Sequence, residues 1–592
     1  MENTKHFTLD ESFDFNIIKN LTLDELNVLG NDVRELIIDR CSEFGGHLSS
    51  NLGIVNLTIA LFRSFDLNKD KVIFDIGHYT YAYKILTGRP LRNLRLENGT
   101  DGFQRMSESK YDFYDAGHSS TSISACVGFA KARDFSRENY HCLAVVGDGG
   151  IANGLCFEAL NNLIVDNTKI IIVLNDNEMS ISPTVGGLTC ILKGIKYNPF
   201  ASYVFKDANF EYIGPIDGDN FKEMAKAFDR AKKTKRSVLV HVKTKKGLGY
   251  KYAMEDKIGE FHYVNPFDKE NGHPKKNYKL GVASFSETFA NLLDQEMSEN
   301  KKAIAICPST TIGAALTDVF SKYPLRTFDC GISEEHSAVF AASLGVNGYH
   351  PYLFMYSTFL QRAYDEIIHD ITRLNVPCTI LIDRAGLVGA DGETHQGIYD
   401  DSFFFSIPNI ALAMPHDLED AKRLFNLASN YKHPFAIRFP ACYKPKDDDI
   451  SSTKPINFGD WEIVKKGQNK KYAILSVGPH INDINRVFKD DEDVTIINAL
   501  FMKEYNKAQL EKLAAYNKIY IYDPYGVETG FCSNVLLELN KINYKGQVKT
   551  KAIPLQYITK GTKEEQEKRI SVDVESFVKD FKNFISKWKL KY

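Results

Sequence analysis

Two apolar runs, His141 to Val146 and Lys169 to Leu174, each end in a polar cluster, Gly147-Asp148-Gly149 and Asn175-Asp176-Asn177. Between them Leu155, Ala159, Leu160 and Leu163 recur at helical spacing. Continuous apolar runs of this length belong to parallel strands buried on both faces. The stretch therefore reads as strand, helix, strand, with a ligand site at the carboxyl ends of the strands. The pattern repeats: a strand from Lys71 to Ile76 ends in Gly77-His78, and one from Ser237 to Val242 runs into Thr244-Lys245-Lys246-Gly247. Further strands are predicted near 303–307, 351–356, 377–383 and 410–414, and then in YAILSVG, VTIINAL and KIYIYDP, alternating with helices. This alternation predicts an α/β chain of three doubly wound domains with mainly parallel sheets.

A first helix is predicted from Thr22, with Glu25 completing a capping box. Residues 265–280, polar with Pro and Gly, and the charged stretch 444–455 read as linkers. They set the expected domains at 1–278, 279–446 and 447–592. The last eighteen residues, ESFVKDFKNFISKWKLKY, read as an amphipathic helix with basic residues late, as its dipole prefers.

With 592 residues the chain is long enough for three domains, and its net charge of −3 gives no basic field for nucleic acid. Ten cysteines are scattered without CxxC spacing, and Cys142, Cys156 and Cys378 fall inside apolar patterns. Buried reduced thiols in a cytoplasmic protein are expected rather than disulfides. No apolar run approaches the ~18 residues of a membrane span. The first residues carry neither a signal-peptide core nor an Arg-rich transit pattern.

Asp148 offers a carboxylate and Asn177 a carboxamide oxygen, hard donors suited to Mg2+ or Ca2+ rather than Zn2+. One carboxylate is too few for a site built only of protein, and Mg2+ completes its shell with phosphate oxygens and water. Gly149 and Gly150 let a diphosphate approach the backbone closely. The bland alternative is a polar turn between strand and helix. His47, held among glycines and small polar residues, and His78, at a strand end, suggest a site handling protons or carbonyl oxygens. Gly117-His118-Ser119-Ser120-Thr121-Ser122 opens a small-residue helix and reads as an anion site, or as plain capping. Glu334 and Glu335 precede a helix of small residues, where charge alone is favourable. Arg362 follows Phe359 by one helical turn, and its guanidinium suits a phosphate. The segment DRAGLVGADGETHQG places Asp391 and His395 beside a Gly-rich loop, with Arg384 at the preceding strand end.

GDG followed by NDN after a second buried strand resembles the cofactor signature of thiamine-diphosphate enzymes. Within them, EALNN, LNDNEMSISPTVGG and DRAGLVGADGETHQG resemble the 1-deoxy-D-xylulose-5-phosphate synthases. The resemblance implies a transketolase-like fold and a homodimer. It also implies thiamine diphosphate with Mg2+ held by Asp148, Asn177 and the Met179 carbonyl, and pyruvate with D-glyceraldehyde 3-phosphate as substrates. His47 and His78 would contact substrate and cofactor, with Gly117, His118, Ser119 and Lys246 near the diphosphate and His262 at the substrate. Glu334 would serve the pyrimidine ring, which Tyr356 and Phe359 would abut. Arg362, Arg384, Asp391 and His395 would hold and orient the substrates. The chain departs from the family pattern at Tyr79 and Tyr83, where Gln and His are usual. It also departs at 307–313 (CPSTTIG), at Ala441 in place of an arginine, and in a short connection after Gly187. The rival readings are a transketolase or altered-acceptor carboligase, and a catalytically silent binding homologue. The presence of Asp148, Asn177 and Glu334 speaks against the silent homologue.

Overall fold

The computed structural model describes residues 6–165, 168–179, 184–195, 210–275, 282–441, 443–445 and 455–586. Contacts divide the chain into two compact units, Met1–Asn277 with Gly331–Ser333, and Tyr278–Cys330 with Glu334–Tyr592.

The first unit is built on five strands: β1 (Lys71–Phe74), β2 (Cys142–Gly147), β3 (Ile171–Asp176), β4 (Glu211–Asp217) and β5 (Val238–Lys243). Their order is β1-β2-β3-β5-β4, and every pairing is parallel. Both faces are covered by helices, so β2 and β3 are buried almost throughout, as their continuous apolar runs require. Helix α1 (Leu23–Phe44) starts at the expected capping box, the Thr22 Oγ1 accepting from Glu25 N at 3.3 Å and the Thr22 N–H donating to Glu25 at 2.7 Å. Helix α2 (Ser49–Ser64) is buried from Ser49 to Phe62 because it is packed between α1 and the helix Phe221–Lys233. Ile76 has φ +60, a strained value for a β-branched residue, in the turn that carries His78 away from β1.

The linker expected over 265–280 is packed structure in its described part. Val264 pairs with Gly46 across an antiparallel bridge, the Phe267 N–H donates to Ser42 O, and Phe267 is 1% exposed in the core. Two apolar anchors outweigh the polar composition around them. Residues 276–280 lie outside the described residues.

The second unit carries a seven-stranded sheet in the order Phe501–Lys503, Ala411–Ala413, Pro434–Arg438, Cys378–Asp383, His350–Tyr356, Ala303–Ile306 and Thr327–Phe328. It is parallel except at Phe501–Lys503. A second sheet, in the order Glu462–Lys465, Val494–Asn498, Tyr472–Ser476, Lys518–Val527 and Gln547–Ile553, is parallel except at Glu462–Lys465. The boundary expected at 446 does not separate two cores. Phe501–Lys503 comes from the last stretch yet pairs with Ala411–Ala413, and one apolar cluster holds Leu412, Met414, Leu475 and Tyr525 together. The final helix is Val574–Ser586; its expected basic end, 587–592, lies outside the described residues, as does most of 444–455. Among the described residues no helix is long and apolar enough to cross a membrane.

Candidate functional site

In the first unit, Gly147 of β2 pairs in register with Asn175 of β3, so Asp148 and Asp176 leave neighbouring strands side by side. Asp148 is 4% exposed, and its Oδ2 has no hydrogen-bond partner among the described residues. Burial, with the Asp176 charge adding to it, pushes its carboxyl up to about 8. Asp176 differs. Burial pushes it up, but hydrogen bonds from His241 Nε2 at 2.7 Å and Lys243 Nζ at 2.9 Å outweigh that and hold it below the usual range. The other ring nitrogen of His241 meets the Tyr212 hydroxyl at 2.6 Å. The backbone then turns sharply: Glu178 has φ +63, and the Met179 N–H donates to Asn177 Oδ1 at 3.0 Å. An unpartnered buried carboxylate oxygen beside carboxamide and carbonyl oxygens is a donor set that fits Mg2+. The rest of this loop, 180–183, and the connection at 196–209 lie outside the described residues.

Lys246 lies close enough to Asp148 to feel its charge; burial brings its ammonium down to about 8 against the pull of Asp256 and Asp148. Its backbone packs on α2 at Gly53, where a Cβ would meet Lys245 O at 2.8 Å and Lys246 Cα at 3.2 Å. Three imidazoles gather beside it. Ring centroids of His47 and His78 are 4.8 Å apart, of His47 and His262 5.4 Å, and of His78 and His262 5.3 Å. Burial first, then Lys246 and His78, hold His262 well below the usual imidazole range, so its ring is neutral. Phe103 and Tyr263 flank His47, and the Arg95 guanidinium lies 4.6 Å above the Tyr263 ring.

Asn51, fully buried on α2, carries no motif in the sequence, yet it fastens this wall. Its amide donates to His47 O at 2.6 Å and His78 O at 2.7 Å, and its Oδ1 accepts from Tyr81 N at 2.8 Å. His47 is four residues from Asn51, but His78 and Tyr81 are 27 and 30 residues away, a link no local pattern reveals. The departures at Tyr79 and Tyr83 point into the core, with hydroxyls on Val145 O and Tyr111 O.

The anion expected at the helix beginning Ser122 is supplied by the protein itself. Asp75, 1% exposed, accepts from Ser120 N at 2.8 Å and Ser122 N at 3.1 Å, and Ser120 Oγ donates to Gly150 O at 2.8 Å. The segment Gly117-His118-Ser119 lies just before it, and Gly77, the neighbour of His78, packs on Ala116.

In the second unit Glu334 is the first residue of the helix Glu334–Val346. It is 4% exposed; burial pushes its carboxyl up to about 7 against the Arg362 guanidinium, 3.9 Å away. Tyr356 and Phe359 stack at 5.6 Å and 13°, and the His395 ring meets Phe359 edge-on at 5.8 Å. Arg384, at φ +58, pairs with buried Asp383 and lies 4.0 Å over the Tyr356 ring. Gly313, in the divergent 307–313 stretch, is glycine of necessity: a Cβ there would fall 1.7 Å from the Tyr356 hydroxyl. His395 Nδ1 is 2.9 Å from Thr394 Oγ1, and Asp391 opens the short turn Gly392–Thr394 before it. Arg438, near the divergent Ala441, is fully buried in a bidentate pair with Asp400, both bonds 2.9 Å.

A family model described as 1-deoxy-D-xylulose-5-phosphate synthase matches residues 9–202 and 192–244, and one described as transketolase, pyrimidine binding domain, matches 282–442. The chain is 37% identical to the 1-deoxy-D-xylulose-5-phosphate synthase of Clostridium acetobutylicum, over 97% of this chain and 99% of that one. It is 38% identical to the protein of the same name in Clostridium tetani, with the same coverage. Among solved structures, a transketolase from Campylobacter jejuni matches with a TM-score of 0.43 at 17% identity, covering 95% of this chain and all of that one.

Proposed function

Since the chain belongs to the 1-deoxy-D-xylulose-5-phosphate synthase family, we propose that it condenses pyruvate with D-glyceraldehyde 3-phosphate. The products are CO2 and 1-deoxy-D-xylulose 5-phosphate, and the cofactors are thiamine diphosphate and Mg2+. The observation that carries the cofactor assignment is Asp148, buried with an unpartnered oxygen on the strand end beside the Asn177 turn. Asp148, Asn177 and the Met179 carbonyl would hold the metal. Lys246, His118, Ser119 and the backbones of Gly117, Gly149 and Gly150 would line the diphosphate. When bound, thiamine diphosphate supplies an acidic ring carbon and an electron sink for decarboxylation.

The remaining work falls to side chains of this chain. Glu334, lifted to about 7, is poised both to hold and to release a proton at neutral pH and can present it to the pyrimidine, with Tyr356 and Phe359 abutting that ring. Neutral His262 offers one donor and one acceptor, and with His47 and His78 it orients carbonyl and hydroxyl oxygens and moves protons between them. Arg362 and Arg384 take the phosphate of the aldehyde, which fixes its carbonyl near Asp391 and His395. The protein acts as a cytoplasmic homodimer.

The test is a product assay with thiamine diphosphate, Mg2+ and the two substrates. CO2 release from pyruvate that depends on the aldehyde supports the reading. Two-carbon transfer from xylulose 5-phosphate in its place would make the protein a transketolase, and no calorimetric binding of thiamine diphosphate with Mg2+ would make it a silent homologue.

A further inference from the structure

The loop bearing Asp391 and His395 is closed at its base by reciprocal backbone bonds between Gly386 and Gly397, at 2.6 and 2.9 Å. Its far side is held by a segment that carries no motif. Thr562 caps a short helix with a capping box to Glu565, which fixes Gln566 in the first turn, fully buried. The Gln566 amide faces Gly389 and pairs with both of its backbone groups. Gly389 N donates to Gln566 Oε1 at 3.1 Å, and Gln566 Nε2 donates to Gly389 O at 2.8 Å and to Thr559 O at 2.9 Å. A second buried amide completes the seam: Gln396 Nε2 donates to Ile558 O at 3.1 Å and its Oε1 accepts from Val388 N at 2.8 Å. Gly389, at φ +84, and Gly392, at φ +67, allow the close approach, since a Cβ at Gly392 would lie 3.0 Å from Lys560 N.

We infer that Gln566 is a positioning residue for the substrate loop, setting Asp391 and His395 by clamping Gly389 from a segment 177 residues further along the chain. The clamp needs a side chain that both donates and accepts, which is why an amide stands there. An apolar side chain of the same length would leave the buried Gly389 N–H unpaired and leave Gly389 O with the Gly392 N–H alone. Gly389 is three residues from Gly392, whose N–H donates to Gly389 O, and the His395 N–H donates in turn to Gly392 O. A shift at Gly389 therefore passes to His395 through two consecutive backbone bonds.

The inference rests on the reading that Asp391 and His395 meet the substrate. Gln566→Met and Gln566→Glu, the second keeping the acceptor for Gly389 N–H, are compared with the natural protein by amide hydrogen exchange and steady-state kinetics. Gln566→Met is expected to speed exchange in residues 386–397 by about ten-fold or more and to raise KM for D-glyceraldehyde 3-phosphate by about ten-fold. Thiamine diphosphate affinity should stay unchanged, and Gln566→Glu should fall between. Exchange and KM both unchanged, or exchange raised evenly over the whole second unit, would overturn the clamp. Normal kinetics in Asp391→Ala and His395→Ala would instead overturn the functional reading, whatever the exchange shows.

Discussion

Asp148 in the first unit and Glu334 in the second are each 4% exposed, each with one carboxylate oxygen that accepts no hydrogen bond among the described residues. Burial is the first cause that lifts both, to about 8 and about 7. Their company differs. Asp148 stands beside another carboxylate, Asp176, and the oxygen-rich Asn177 turn, with the Lys243 charge the smallest of its influences, whereas the Arg362 guanidinium, 3.9 Å from Glu334, is the first to oppose its burial. A buried carboxylate among oxygens is stabilised by a cation, while one with a cation already near it can hold a proton and still release it. Under the proposed function, similar burial would prepare one group for a metal and the other for proton transfer.

Separate substitutions should break that comparison cleanly. Glu334→Gln keeps the shape and loses the titrating proton, so turnover should fall by roughly 10²–10⁴-fold. Thiamine diphosphate affinity, read by calorimetry, should change by no more than a few-fold. Near-normal turnover would remove Glu334 from its assigned role. Asp148→Asn should behave in the opposite way: Mg2+-dependent affinity for thiamine diphosphate should weaken by roughly 10–100-fold. Affinity measured in chelator should hardly move. If the two variants gave the same pattern, the division of labour would be wrong.

Arg362→Met sharpens the same contrast through acidity. Arg362 lowers the Glu334 carboxyl, so its loss should raise that group above about 7. Infrared carbonyl-stretch difference spectra of the metal- and cofactor-free protein, with Glu334→Gln as the blank, would follow the midpoint directly. A downward move would show that Arg362 does not face Glu334 as a charge. The sign for stability follows from the raised value. The folded protein binds more protons than the unfolded chain between pH 4.5 and about 7, so this group's contribution declines as pH rises through that window.

The strand ends that carry Asp148, Asn177 and His78 were legible in the sequence because a buried parallel strand is an uninterrupted apolar run and its end is a sharp change to Gly and polar residues. The capping box at Thr22 was legible because all its parts lie within one turn. What escaped was chemistry completed from afar. Asp75 occupies the helix start whose row of hydroxyls suggests an open anion site, 47 residues from Ser122. His241 reaches Asp176 across 65 residues, and Gln566 reaches Gly389 across 177. Composition misled at 265–275, where Phe267, with Val264 just before the stretch, decides the packing although polar residues outnumber it.

The smallest effect expected comes from a third group of buried acids, which shows what a raised acidity means when no ligand is called for. Asp400, Asp401 and Asp523 surround Arg438, all essentially inaccessible. Arg438 neutralises Asp400. Burial then pushes Asp401 well above, and Asp523 above, the usual carboxylate range, and a Cβ at Gly526 would meet both, at 2.1 Å from Asp401 Oδ2 and 2.8 Å from Asp523 Oδ2. As at Asp148, one oxygen of Asp523 has no hydrogen-bond partner among the described residues while backbone donors reach the other, here Tyr525 N at 2.9 Å and Gly526 N at 3.1 Å. In Asp523→Asn the amide oxygen keeps those two bonds, while its N–H group can face Asp401 in place of a held proton. Unfolding free energy near neutral pH should change by no more than about 1 kcal/mol, and turnover should not change. Because both carboxyls are raised, the natural protein loses stability as pH climbs above the ordinary 3.8, and the variant should lose less over the same climb. A steeper loss in Asp523→Asn, measured by denaturant unfolding at several pH values, would mean that Asp523 is ionised in the fold and that its partner charge lies elsewhere.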